Sequence, residues 1–458
     1  MKPLSYGIVF VAAYALSSFA ALPSRAETLE DALALAYQHN PELQAQRAKL
    51  RATDEQVSQA LSGWRPDVEA TAEAGKARQN VSGNQLLINS GNVTPRDVNL
   101  NVTQPVFNGF RTVSQVRSAE AAVRAQRAVL EDGEQKLLLD TAKAYLDVVQ
   151  AQRELDIDRD QESVLQRELH EAQERLHIGE LKKTDVSQAQ ARMMASSVAR
   201  RQAEGDLVNQ QTTYARLTGQ LPGTLSQAVV TADFPKDEDR FIDLALKNNP
   251  AVIAAEYNAN SAQNDITAAK GNLLPQVSLV GTLTDSREQS SLSPERENSA
   301  RILARVSLPL YRTGSDYSKA RAAQQTATEK RLDLDDARNK TRENAANARQ
   351  SFITAKAALQ GQREVVAAAE DALEGVKIES QNGTRTTLDV LNAEQELLQD
   401  KIALVKAEHD EALALLQVRA SIGQLTAEEM RLPVAIYDPD KNYNKVRNQW
   451  LGFANEKE

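Results

Sequence analysis

The chain has 458 residues, a formal net charge of −9 and no cysteine. So acidic a chain is a poor polyanion binder, which argues against nucleic acid as a partner. Without cysteine it has no disulfide framework and no thiol for lipid attachment.

The N-terminus carries Lys2, an apolar run from about Tyr6 to Leu22, and Ser24-Arg25-Ala26 with small residues at −3 and −1. This predicts a secretory signal over residues 1–26, whose removal with Lys2 and Arg25 takes the charge from −9 to −11. No other segment approaches the ~18 to 20 consecutive apolar residues a spanning helix needs, so insertion into a membrane would use strands. The rest divides into a first repeat over about 27–221, a linker over about 222–238, a second repeat over about 239–425 and a tail over about 426–458. In the first repeat helices are predicted over about 41–64, 111–176 and 184–217, and strands over about 66–80 and 97–106. In the second, helices are predicted over about 250–272, 315–378 and 387–420, and strands over about 275–286 and 300–310. The stretch after Pro433 is expected to pack near mid-height or to run partly free.

The duplication rests on landmarks. Asn40-Pro41 and Pro66 return as Asn249-Pro250 and Pro275, each 209 positions on. Gln104-Pro105-Val106-Phe107 returns as Leu308-Pro309-Leu310-Tyr311, and Leu217-Thr218-Gly219-Gln220-Leu221 as Ser421-Ile422-Gly423-Gln424-Leu425. A repeated unit of this kind buries its apolar face against its copy.

Proline is absent from 106–221 and from 310–432, so those windows admit long helices. Val116, Val123, Leu130, Leu137, Ala144 and Ala151 fall every seven residues, as do Leu391, Leu398, Val405 and Ala412. That spacing is the signature of coiled-coil packing. Each window breaks at a glycine-centred turn, Ile178-Gly179-Glu180 and Asn382-Gly383-Thr384, giving a long helix and a shorter return helix. At ~1.5 Å per residue the first long helix spans roughly 100 Å and its return helix roughly half of that, leaving the 41–64 helix to cover the remainder.

The strands alternate. Val68, Ala70, Ala72 and Ala74 face one way and Asp67, Glu69, Thr71 and Glu73 the other, and the same holds for Val98, Leu100 and Val102 against Asn99, Asn101 and Thr103. Period-two segments of this length suit either a strand with lipid outside and water inside or a half-buried soluble sheet. Four strands cannot close a barrel, so the membrane reading requires several copies. Phe107, Phe110 and Tyr311 at the strand–helix junctions suit an interfacial girdle or core packing.

This duplicated order resembles the TolC family of bacterial outer-membrane efflux proteins over nearly all of the mature chain. Its most specific stretch is Asn382-Gly383-Thr384-Arg385-Thr386-Thr387-Leu388-Asp389-Val390-Leu391-Asn392. The resemblance implies a mainly α protein with a membrane β part: long coiled-coil helices and four strands per protomer, a trimeric shared β-barrel and an α-helical periplasmic tunnel. It further implies a passive exit duct for tripartite efflux or type I protein secretion. The implied partners are a homotrimer, outer-membrane lipid, a periplasmic adaptor and an inner-membrane transporter of RND or ABC type. By the same resemblance Asp389 belongs to a carboxylate ring at the constriction, and Arg385 to a latch onto a neighbouring hairpin at Thr184 and Asp185. The tips Gly179, Glu180, Gly383 and Thr384 meet the adaptor. Asn392 and Ser380 depart from the family pattern, where a second ring carboxylate and a latch tyrosine are found, which predicts one ring and a latch with fewer bonds. Read from the residues alone, Thr386-Thr387-Leu388-Asp389 and Thr184-Asp185 are also good helix starts.

No nucleophile elbow, phosphate loop or metal-hydrolase helix is present, so no enzyme, cofactor or metal is predicted. His170 and His177 share a helical face without a third ligand and are expected to be solvated. The other class of protein compatible with long hairpins is a periplasmic coiled-coil adaptor that bridges without conducting, against which the paired amphipathic strands argue.

Overall fold

The computed structural model describes residues 26–80, 90–226, 234–235, 237–287 and 296–452, so all but the last residue of the predicted signal segment 1–26 lies outside the described residues. Both Asn-Pro pairs are junctions between two helices. Helix α1 (Leu29–His39) ends at Asn40, whose side-chain oxygen then accepts the Glu42 and Leu43 N–H groups of α2 (Pro41–Leu61). Pro41 fills the first helical position, where its missing N–H costs nothing. In the second repeat α5 (Glu238–Asn248) and α6 (Pro250–Gly271) meet in the same way, Asn249 accepting from Ala251. Neither α1 nor α5 is among the elements the sequence periodicity predicts. Each is only 11 residues long, too short for a repeat to register.

Between α2 and the long helices lies an antiparallel sheet in the order β1-β4-β5-β6, formed by β1 (Asp67–Ala74), β4 (Arg96–Asn108), β5 (Gln276–Arg287) and β6 (Arg296–Ser307). The strand predicted over 66–80 is in fact two. After Gly75, whose N–H donates to Pro95 O at 3.1 Å, β2 (Ala77–Asn80) pairs with β3 (Ser90–Val93) as a separate ribbon. Pro95 has no N–H to extend the main ladder, so the strand leaves it there. The last strand is likewise shifted from the predicted 300–310, ending before Pro309 for the same reason.

The register places like with like. Val68 lies opposite Val102, Ala70 opposite Leu100, Ala72 opposite Val98, Leu100 opposite Leu283 and Gly281 opposite Ile302. One face of the sheet is therefore apolar from Val68, Val102 and Val306 up to Val98, Leu283 and Ala300, giving way to Asp285, Arg287, Arg296 and Asn298 at the end remote from the helices, and the other carries Glu69, Thr71, Asn99, Asn101, Thr282 and Arg301.

From the sheet run α3 (Arg111–His177) and α7 (Ser315–Gln381), each 67 residues and so roughly 100 Å long, returning as α4 (Lys183–Thr218) and α8 (Thr387–Ser421). The heptad residues Val123, Leu130, Leu137, Ala144 and Ala151 are buried, as are Leu391, Val405 and Ala412. Helices α2 and α4 abut end to end along α3, with Asn40 Nδ2 donating to Leu217 O at 3.3 Å. At that mid-height the largest core gathers Tyr37, Leu138, Tyr145, Tyr214, Leu416 and Leu425. A fully buried Leu such as Leu138 contributes about 2 kcal/mol by leaving water.

The two repeats touch closely where strands become helices. A Cβ on Gly109, at φ 67°, would lie 2.3 Å from Gly271 O, so only glycine admits this crossing. The tail begins in the mid-height core, where Ala427 and Leu432 are buried and Val434 and Tyr437 pack against it, and then extends beyond it. It includes α9 (Pro439–Val446) and climbs α2, with Tyr437 N–H donating to the Tyr37 hydroxyl, Asn442 to Asp54 and Arg65 to Gln449 O. No helix among the described residues is long and apolar enough to cross a membrane.

Candidate functional site

The two hairpin tips lie at the end of the molecule remote from the sheet and are built alike. At the first, Glu180 N–H closes on Arg175 O at 2.8 Å and Gly179 N–H on Leu176 O at 3.0 Å. At the second, Thr384 N–H closes on Glu379 O at 3.0 Å and Gly383 N–H on Ser380 O at 3.0 Å. Gly179 and Gly383 sit at φ 85° and 77°, with open space around the position a Cβ would take. The left-handed backbone, and not crowding, selects glycine at both turns.

The return helices start differently. Thr386 and Asp389 form a full capping box: Thr386 N–H donates to Asp389 Oδ2 at 2.9 Å, its hydroxyl donates to the same oxygen at 2.8 Å, and its oxygen lies 3.3 Å from Asp389 N. These bonds, with the charge of Arg385, hold the Asp389 carboxyl below the usual carboxylate range, so it is ionised at any physiological pH. At α4 only half of the box forms. Asp185 accepts the Lys182 N–H at 3.1 Å, but the lysine side chain has no oxygen to return the bond. Thr184 is exposed beside it.

Arg385 does not reach Thr184 or Asp185 within one chain. Its Nε donates to Glu379 Oε2 at 2.9 Å across its own turn. At the first tip the polarity is reversed: Arg175, equivalent to Glu379 by the 204-residue offset between Gly179 and Gly383, pairs with Glu180 at 3.2 Å. Such exposed pairs contribute little to stability; they fix where a charge rests. Asn392 joins the two coils, accepting from Arg192 Nη2 at 3.0 Å.

Above the tips the coils enclose a cleft of about 410 Å³ lined by Glu168 of α3, Lys377 of α7 and Glu394 of α8. Glu394 is 4% exposed, with Lys377 Nζ 2.9 Å from its Oε1. Its Oε2 and Glu168 Oε2 have no hydrogen-bond donor. Glu168, when protonated, can donate to Glu394. Burial first, then the bond and charge of Glu394, push Glu168 up to about 8. Sequence reasoning missed this trio, although Glu394 stands three residues after Leu391 on the apolar seam, where a carboxylate is out of pattern.

Higher on the same seam His409 Nε2 of α8 lies 2.8 Å from Asp147 Oδ1 of α3, with Nδ1 3.1 Å from Asp410 Oδ1. Arg153 and Glu408 form an ion pair beside it, and Lys143 holds Asp147 at 2.6 Å. Burial pulls the imidazole down, but the Asp147 and Asp410 carboxylates outweigh it, leaving His409 above its ordinary value. His170 and His177 are both exposed.

An amphipathic sheet open at both edges, carried on paired coiled coils that end in capped turns, defines the class of outer-membrane exit ducts. The family is shown directly, for the profile of the Outer membrane efflux protein family matches residues 32–220 and again 241–424, and the chain belongs to that family. It is 31% identical over 452 residues to the outer membrane efflux protein BepC of Brucella suis biovar 1 (strain 1330), covering 99% of this chain and 97% of that one. It is 26% identical to the outer membrane protein TolC of Vibrio cholerae serotype O1, covering 88% of this chain and 92% of that one. The fold is also that of the solved outer membrane protein VceC of Vibrio cholerae, at a TM-score of 0.76 and 20% identity, over 86% of this chain and 96% of that one. The protein is thus an outer-membrane channel of the efflux class, with its long helices on the periplasmic side.

Proposed function

We propose that three copies of this chain close into one barrel and one tunnel, and that the tunnel is a passive exit duct joined through a periplasmic adaptor to an inner-membrane transporter. The observation that carries this reading is the sheet, which carries a broad apolar band on one face and leaves both β1 and β6 without a partner strand among the described residues. An open edge in lipid leaves backbone groups unsatisfied, at several kcal/mol each, so closure by further copies is the stable outcome. The helices have matching free flanks: Met194, Val198 and Val208 of α4 and Leu332, Ile353 and Val365 of α7 are exposed in the single chain. With the copies assembled, Asp389 forms the constriction ring, and Arg385, released from Glu379, latches onto Thr184 and Asp185 of the neighbouring protomer. Gly179, Glu180, Gly383 and Thr384 form the adaptor-facing tips, flanked by the exposed Ile178 and Ile378.

Single-channel conductance of the purified trimer in a planar bilayer tests the reading. Arg385→Ala is expected to turn small steps into larger ones by loosening the latch. Unchanged steps would remove the latch, and folded protein that never conducts would favour a bridging adaptor.

A further inference from the structure

We propose that the C-terminal tail is a membrane-interface anchor, seating Trp450 and Leu451 in the periplasmic leaflet of the outer membrane at the foot of the barrel. The proposal takes the outer-membrane location as given and concerns a part of the chain outside both family-matched repeats.

The tail is tied to the foot of the sheet by backbone and side-chain bonds. Gln449 O accepts from Arg65 Nη1 at 2.8 Å and from Ser58 Oγ at 3.2 Å, and the Arg65 guanidinium lies 5.2 Å from the centre of the Trp450 ring. Arg65 stands two residues before β1 begins at Asp67, and its neighbour Trp64 accepts the Gln104 amide of β4 at 2.8 Å. Two residues span at most ~7 Å, so Trp450 sits at the level where the strands emerge. Anchoring is maintained further down by Arg447 to Glu120 at 2.8 Å and Arg127 to Asp440 at 2.7 Å.

Having been carried there, the apolar end is not buried. Trp450 is 63% and Leu451 89% exposed. At the same junction the chain exposes Val106, Phe110, Leu310 and Tyr311. Phe110 packs edge-on against Phe107 at 5.2 Å and still leaves most of its ring free, which favours a girdle over core packing. A rim of Trp, Tyr, Phe and Leu directly below a lipid-facing sheet is the composition of a bilayer interface, where an indole ring stays apolar at one side and wet at the other. Arg65, stacked on the indole, brings a cation to the level of the lipid phosphates.

The chain has only two tryptophans, Trp64 and Trp450, which makes the test direct. Wild type and Trp450→Phe are reconstituted as full-length trimers in phosphatidylcholine vesicles containing lipid brominated either near the headgroup or at mid-chain. The difference between their emissions reports Trp450 with Trp64 left in place. Headgroup-proximal bromine is expected to remove most of that difference signal, mid-chain bromine less, and aqueous acrylamide little. A difference signal that only acrylamide quenches places Trp450 in water, and one that neither agent touches places it between subunits; either result overturns the proposal. Trp64→Phe, with Trp450 as the sole emitter, repeats the measurement independently. Persistence of trimers and of conductance in each variant separates failure of the anchor from failure of the duct reading.

Discussion

Asp389 carries two tasks on one carboxylate. It closes the capping box of α8 with Thr386, and it places a charge, held ionised by the same bonds, at the turn. Asn can still accept the Thr386 N–H through its amide oxygen, so Asp389→Asn removes the charge while retaining the helix start. The expected outcome is a folded, conducting trimer whose cation selectivity falls, read from the reversal potential across a salt gradient. Undiminished selectivity would take the charge ring away from this residue. The bond from Arg192 to Asn392 adds a second lesson at this scale. The departure from the family pattern at Asn392 is not an empty position: the amide ties the first hairpin to the second.

Along the elements, the α3–α8 seam carries two proton-dependent contacts, and both respond to pH in the same sense. Glu168 is raised from its ordinary value to about 8, and His409 is raised by Asp147 and Asp410. A group with a raised folded value contributes its stability below its unfolded value, and that stability is lost as pH rises through the folded one. For Glu168 the window runs from about 4.5 to about 8; for His409 it begins at about 6.5 and extends upward. The groups facing them are Lys377 at Glu394, and Lys143 at Asp147 with the Arg153–Glu408 pair beside it. Alkalinisation is therefore expected to loosen the two coils from each other, followed as faster amide hydrogen exchange in α8. Glu168→Gln should flatten the lower contact's share, because a neutral amide cannot repel Glu394. A profile identical to wild type would sink the account of a protonated Glu168. Neither pair could be read from the sequence, since each joins side chains far apart along the chain through a contact between two coils. The tips were legible because glycine and a capping oxygen act within six residues of one another. The helices α1 and α5, the break at Gly75 and the course of the tail were not: short amphipathic helices leave too few repeats, and docking of the tail depends on Tyr37, Asp54 and Arg65 meeting it in space.

At the scale of the whole molecule the sheet decides the assembly. Ile302 is 84% exposed near the middle of β6, on the face that also carries Leu279, Leu283 and Val306. With that face toward lipid, Ile302→Lys is expected to cost about 2–4 kcal/mol near the bilayer midplane and to reduce heat-resistant trimer in outer-membrane extracts. A neutral effect would mean the apolar face lies elsewhere than in lipid. The duplication supplies the rest of the architecture. Each repeat alone has a strand pair and one hairpin, and the Gly109–Gly271 crossing joins the two into one continuous wall.

If Asp389 lines the proposed constriction, its capping box also limits how that constriction can widen. The carboxylate cannot swing aside on its own, because it is the third residue of a helix whose first turn it completes. Widening must come from tilting the hairpin as a rigid lever whose fulcrum is the mid-height core, with an arm of ~50 Å set by the length of α8. Over that arm a tilt of roughly 10° carries the tip through roughly 9 Å, so a slight rearrangement at the mid-height core would suffice to work the proposed aperture like an iris.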